Sequence, residues 1–140
     1  MNSLLTLSDQ DDPAAAAVIG GGLNRFNAEM AGGWDRRALN VLLTDPASGE
    51  VVGGLVGRTS LGVLLVDLVF LPASARGQGL GTAMLRQAEE EARRRGCAHA
   101  MLYTITFQAP AFYEKLGYVE FGRVPCAAPG QARVFMSKVL

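Results

Sequence analysis

The chain holds little of what metal-dependent or covalent catalysis needs. It has one histidine, His99, and two cysteines, Cys97 and Cys126. Two cysteines supply neither a disulfide framework nor a tetrahedral metal-ligand set. No serine–histidine–acid or cysteine–histidine constellation is visible. Net charge is also missing: 13 basic side chains stand against 13 acidic ones, with no dense basic run. That balance argues against nucleic acid as a partner and offers no long-range steering towards any one substrate. Long apolar runs are absent too. Val63–Ala73 is broken by Asp67 and Pro72 and is too short to span a bilayer. The opening segment Met1–Asp12 is acidic and lacks the charged-then-apolar order of a signal peptide. These features read as a soluble, reduced, cytoplasmic protein with no membrane partner.

What is present is a core and many glycines. The sequence has 140 residues, 49% of them hydrophobic, and 17 glycines. That length suits one domain, residues 1–140, with tight backbone positions. Leu4–Leu7 reads as a short first strand. Asp9–Asp12 and Pro13 then form a helix-start signal. Ala14–Ile19 and Leu23–Met30 predict one or two helices, broken or bent at Gly20-Gly21-Gly22. Ala38–Leu43 and Val51–Arg58 predict a hairpin across Asp45-Pro46 and Ser48-Gly49. Leu61–Leu71 is apolar on both faces, as a central buried strand would be.

Leu80–Arg95 carries the strongest helical pattern. Leu80, Met84, Ala88 and Ala92 recur every four residues. Glu89–Arg93, Glu90–Arg94 and Glu91–Arg95 stand in the favourable i,i+4 order, and Gly96 supplies a stop. Ala98–Thr104 is a further strand and Ala109–Leu116 a short helix. Tyr118–Val124 and Arg133–Val139 close as a hairpin. The whole reads as a mixed α/β domain whose central strand–helix–strand crossover has parallel strands.

The glycine-rich turn Arg76-Gly77-Gln78-Gly79-Leu80-Gly81 lies between that central strand and that helix. Such a turn aims backbone N–H groups at one point near the positive end of a helix dipole, which makes it a phosphate cradle. A nucleotide P-loop is excluded, because no lysine follows Gly81. A dinucleotide fingerprint is excluded, because Thr82 stands where the third glycine belongs. Arg76, Gly79 and Gly81 do match the pattern (Gln/Arg)-x-x-Gly-x-(Gly/Ala).

A second block, Ala109-Pro110-Ala111-Phe112-Tyr113-Glu114-Lys115-Leu116-Gly117-Tyr118, follows the next strand. Together the turn and this block resemble the GNAT acetyltransferase superfamily. The likeness runs from Gly53-Gly54-Leu55 to Met136-Ser137-Lys138. It implies an α/β (α+β) GNAT fold, with a mixed sheet of six to seven strands flanked by about four helices. It also implies an acetyl-CoA cleft where the Leu61–Leu71 and Ala98–Thr104 strands splay apart. The implied function is N-acetyl transfer from acetyl-CoA to a primary amine of a small molecule or protein, by direct attack and without a metal. A non-catalytic acyl-CoA-binding module on the same fold is the alternative. Dimers are frequent in the superfamily, so a homodimer is one expectation.

The resemblance also assigns residues. Val69, Phe70 and Leu71 would hold the pantetheine arm. Gly77, Gln78, Gly79, Leu80, Gly81 and Thr82 would take the pyrophosphate. Arg76 either adds charge there or points to solvent. Tyr113 matches a tyrosine that faces the leaving sulfur, or it packs beneath the cofactor. Asp67, in an otherwise apolar strand, is a candidate base or acceptor contact, or a structural acid; as a buried lone carboxylate it would need a partner. Thr104 and Gln108 either meet the cofactor or serve local capping. Asn24, Phe26, Asn27 and Trp34 fall in the segment that lines the acceptor side in the superfamily. His99 reads as structural. Gln131 replaces a histidine common in similar members, and Tyr103 an aspartate, so the acceptor is not named by the likeness.

Overall fold

The computed structural model describes residues 1–33 and 35–140, in two compact units, 1–34 and 35–140. Trp34, an expected acceptor-side residue, lies outside the described residues.

In the first unit the dominant element is helix α1, Pro13–Ala31. Asp12 caps it: its carboxylate accepts the Ala15 N–H at 2.9 Å, and Pro13 occupies the first turn. Gly32 ends it in the left-handed conformation. The helix runs unbroken through Gly20-Gly21-Gly22, where a break or bend was expected. Each glycine costs about 1 kcal/mol there, and the Ala14–Ala17 run ahead of them has the most favourable helix propensity. Ile19, Leu23, Phe26 and Met30 repeat with helical spacing and share one stripe. Leu4–Leu7, expected as a first strand, has no regular secondary structure.

The second unit is a six-stranded mixed sheet with two α-helices. The elements are β1 (Arg37–Thr44), β2 (Val51–Ser60), β3 (Val63–Phe70), α2 (Leu80–Arg94), β4 (His99–Ile105), α3 (Pro110–Lys115), β5 (Val119–Pro125) and β6 (Ala132–Val139). Spatial order is β1-β2-β3-β4-β6-β5. Only the β3–β4 pair is parallel, as the α2 crossover requires. Among the described residues the six strands match the expected six to seven, and the three α-helices are one fewer than the four or so expected.

The core lies beneath α2 and α3. Leu55, Leu64, Leu85, Ala88, Ala92, Ala100, Leu102, Val134 and Met136 are all buried in one cluster. Removing one such side chain, as in Leu85→Ala, costs about 2–5 kcal/mol. β3 is not buried on both faces as expected: Leu64 and Val66 are buried, but Leu68 and Phe70 are exposed. The Arg95 side chain anchors the end of α2. It donates to the carbonyls of Arg37 and Ala38 and to Thr59 Oγ1 at 3.0–3.3 Å.

The expected helix-surface pairs form in part. Arg94 meets Glu90 and Arg95 meets Glu91. Glu89 does not reach Arg93; it turns inward, where it is 2% exposed and bonds Tyr118 and Lys138.

Candidate active site

Two strand features open a cleft at the middle of the sheet. β3 and β4 pair only at Val63–Leu65 against His99–Met101. Beyond those residues each strand keeps its outer partner: β3 stays with β2 to Phe70, and β4 with β6 to Ile105. The two must therefore diverge. A bulge helps: Val56 faces Leu68 while Gly57 faces Val66, so Asp67 is the extra residue. The resulting cavity is about 810 Å³. Val69, Phe70 and Leu71 line one wall, and Thr104, Phe107 and Gln108 the other. Its head is formed by Arg76, Gly77, Gly79, Leu80, Gly81 and Thr82, its floor by Phe112 and Tyr113.

The head of the cleft is an array of unmet donors. Gly77 and Gly79 take φ +75° and +78°, which side-chain-bearing residues rarely adopt. Gly79 is the N-cap of α2 and brings no side-chain cap. Among the described residues, no protein oxygen accepts the main-chain N–H of residues 77 to 82. The first bonded amide is Ala83, to the Gly79 carbonyl at 3.0 Å. Free amides at a helix N-terminus attract anionic oxygens, and the glycines leave them uncovered. Arg76 is exposed, and its Nε donates to the Leu71 carbonyl at 3.0 Å. Gln78 stands apart from the cleft lining and donates to the Ser74 carbonyl at 3.0 Å.

Tyr113 reaches the floor from α3. Its ring meets Phe112 edge-on at 5.1 Å and Tyr118 at 5.8 Å. The ring is buried, yet no protein group bonds its hydroxyl among the described residues. Burial raises the phenol's pKa above its ordinary value, so it stays protonated at neutral pH. A protonated, unpartnered hydroxyl at the cleft floor can donate to a group bound there.

Thr104 and Gln108 line the wall and also serve local structure. The Gln108 amide oxygen accepts from Thr104 Oγ1 at 3.3 Å and from the Ile105 N–H at 3.1 Å. The local capping role is thus observed, on two residues that also line the cleft. Gln131 bonds Thr106 and so ties the β5–β6 loop to the segment carrying Phe107 and Gln108.

Asp67 has the partner that a carboxylate in an apolar strand needs, but it is more exposed than that strand suggests. It is not a buried lone carboxylate: both its oxygens lie 2.6 Å from Arg58 Nη1, and the pair is partly exposed. The bulge turns it out of the strand's regular alternation, and it does not line the cleft. His99 does not line it either. Asn24, Phe26 and Asn27 all lie on α1. Phe107 and Phe112 were not read as cleft residues. Phe107 is 65% exposed and sits in the turn after β4, a position its sequence does not advertise. The Phe112 ring comes within 3.1 Å of where a Cβ on Gly81 would stand, so it packs against the head of α2.

Comparison with known proteins agrees with this geometry. Residues 15–118 match the model of the acetyltransferase (GNAT) family. The chain is 38% identical over 132 residues to acetyltransferase Atu2258 of Agrobacterium fabrum, covering 94% of this chain and 96% of that protein. It is 43% identical over 130 residues to the blasticidin-S acetyltransferase of Streptomyces morookaense, covering 91% and 88%. A crystal structure assigned to the acetyltransferases, from Agrobacterium tumefaciens, superposes with a TM-score of 0.88 at 36% identity, over 99% of this chain and 100% of that one. An acetyltransferase from Bacillus cereus superposes with a TM-score of 0.77 at 25% identity, over 96% and 98%. The chain belongs to the GNAT acetyltransferase family.

Proposed function

We propose that the protein is a cytoplasmic N-acetyltransferase acting as a single domain, residues 1–140, on acetyl-CoA and a primary amine. The observation that carries this reading is the run of unbonded amides from Gly77 to Thr82 at the head of the β3–β4 cleft. They suit the pyrophosphate of acetyl-CoA, whose activated acyl group is what the reaction consumes. The unpaired edge of β3 at Val69–Leu71 offers main-chain groups to the pantetheine arm. A strand N–H there would stabilise negative charge on the thioester oxygen. Arg76 fixes the spacing between that edge and the turn through Leu71.

The transfer needs two proton movements. As the amine nitrogen bonds the acetyl carbon, the carbon–sulfur bond breaks and the nitrogen sheds a proton. Tyr113 is assigned as the acid: its hydroxyl proton goes to the departing sulfur and is regained from solvent. Asp67 is assigned to holding the bulge with Arg58, because its carboxylate is already engaged away from the cleft lining. The amine's proton then passes to water.

The test is release of free CoA thiol over a panel of amines. Polyamines, amino acids, peptides with free N-termini and aminoglycosides belong in it. So does blasticidin S, after which one relative is named. Thiol release that depends on one amine class supports the reading. Acetyl-CoA binding with no release across the panel would instead leave a binding module.

A further inference from the structure

We propose that the Glu89–Lys138 pair is a positioning device for Tyr113, acting through Tyr118. The inference rests on the assignment of Tyr113 as the acid.

Three elements meet at Glu89. It lies on α2, Lys138 on β6, and Tyr118 immediately before β5. Glu89 Oε1 accepts from Lys138 Nζ at 2.8 Å, and Oε2 accepts from the Tyr118 hydroxyl at 2.8 Å. Each carboxylate oxygen thus holds one donor. The Lys138 ammonium also lies 5.6 Å from the centre of the Tyr118 ring. With its hydroxyl fixed at one end, the Tyr118 ring meets the Tyr113 ring at 5.8 Å and 74°. The Tyr118 N–H donates to the Tyr113 carbonyl at 3.0 Å, so backbone and ring are tied together. Phe112 makes the second edge contact.

Stability alone gives poor reason for this arrangement. Burying a charged pair costs desolvation, and apolar side chains of similar volume often do as well. What apolar packing does not supply is a fixed direction for a ring whose reactive oxygen has no anchor of its own. Reacting groups displaced by about 1 Å can lose 10²-fold in rate. The pair restrains Tyr113 from behind and leaves its hydroxyl to the cleft.

The test compares four proteins: Tyr113→Phe, Tyr118→Phe, their combination, and the apolar triple Glu89→Leu/Tyr118→Phe/Lys138→Met. Melting curves establish that each is folded. Tyr118→Phe and the triple are expected to lose about tenfold in kcat while KM for acetyl-CoA stays within about twofold. Adding Tyr118→Phe to Tyr113→Phe is expected to cost nothing further, because the group being positioned is gone. The 13C signal of the Tyr113 ring is expected to move in Tyr118→Phe. Wild-type kcat in the triple, an unmoved Tyr113 signal, or losses that multiply in the combination would overturn the inference while leaving the acid assignment standing. Wild-type turnover in Tyr113→Phe would overturn the assignment itself, and the inference with it.

Discussion

Arg76 Nε donates to the Leu71 carbonyl at 3.0 Å, joining the first residue of the glycine turn to the residue that follows β3. This bond sets the distance between the two parts of the cleft that would grip the two ends of one long ligand. Arg76→Ala is therefore expected to weaken acetyl-CoA about tenfold, the worth of one charge-assisted bond. Arg76→Lys should rescue little, since an ammonium on a flexible stem lacks the fixed Nε geometry. Calorimetric titration checks both; wild-type affinity in Arg76→Ala would refute the coupling.

The β2–β3 connection carries a strained residue. Leu61 has φ +48° and is followed by Gly62 at +79°. Two left-handed positions in a two-residue hairpin loop favour Asn-Gly. Leu61→Asn should raise stability by about 1 kcal/mol. Its N–H would keep its bond to the Asp35 carboxylate. Urea unfolding reads the change, and an unchanged or lowered midpoint would contradict it.

Tyr118 couples stability to alkaline pH. Burial, with the Glu89 carboxylate beside it, raises its folded-state pKa well above the ordinary phenol value. Folding therefore binds this proton more tightly than the unfolded chain does. The contribution is complete below about pH 10, the unfolded value, and declines as pH rises beyond it. Tyr118→Phe should show a shallower alkaline decline, by up to about 1.4 kcal/mol per pH unit. Denaturant unfolding on either side of about pH 10 measures the two slopes; equal slopes would refute the assignment.

Asp67→Asn separates a structural acid from a base. With the carboxylate held by Arg58 and partly exposed, its loss should cost under about 1 kcal/mol of stability. It should also leave kcat within about threefold, whereas loss of a general base removes 10²-fold or more. Steady-state rates decide it: a fall of that size would restore Asp67 as the base.

Much of the fold was legible because its signals are local. Apolar runs bounded by turn residues placed the strands, a four-residue repeat placed α2, and glycines marked the turn that forms the head of the cleft. Two of the misreadings are cases where distant residues decide. Glu89 looked satisfied by Arg93 four positions on, but its partners are Tyr118 and Lys138 on other elements. Asp67 looked alone in an apolar strand, because only the β2–β3 register brings Arg58 to it. Gly20-Gly21-Gly22 looked like a break, but α1 runs through all three glycines between its Asp12 cap and its Gly32 stop. The cleft's contents were read from two motifs, whereas Phe107 lines it through a turn with no pattern of its own.

Titration of acetyl-CoA into 15N-labelled protein, following the assigned main-chain amides, tests the phosphate cradle itself. Saturable shifts are expected at Gly77–Thr82 and at Val69–Leu71, with smaller ones around Thr104–Tyr113. Saturation without movement of the Gly77–Thr82 amides, or no binding at millimolar ligand, would contradict it.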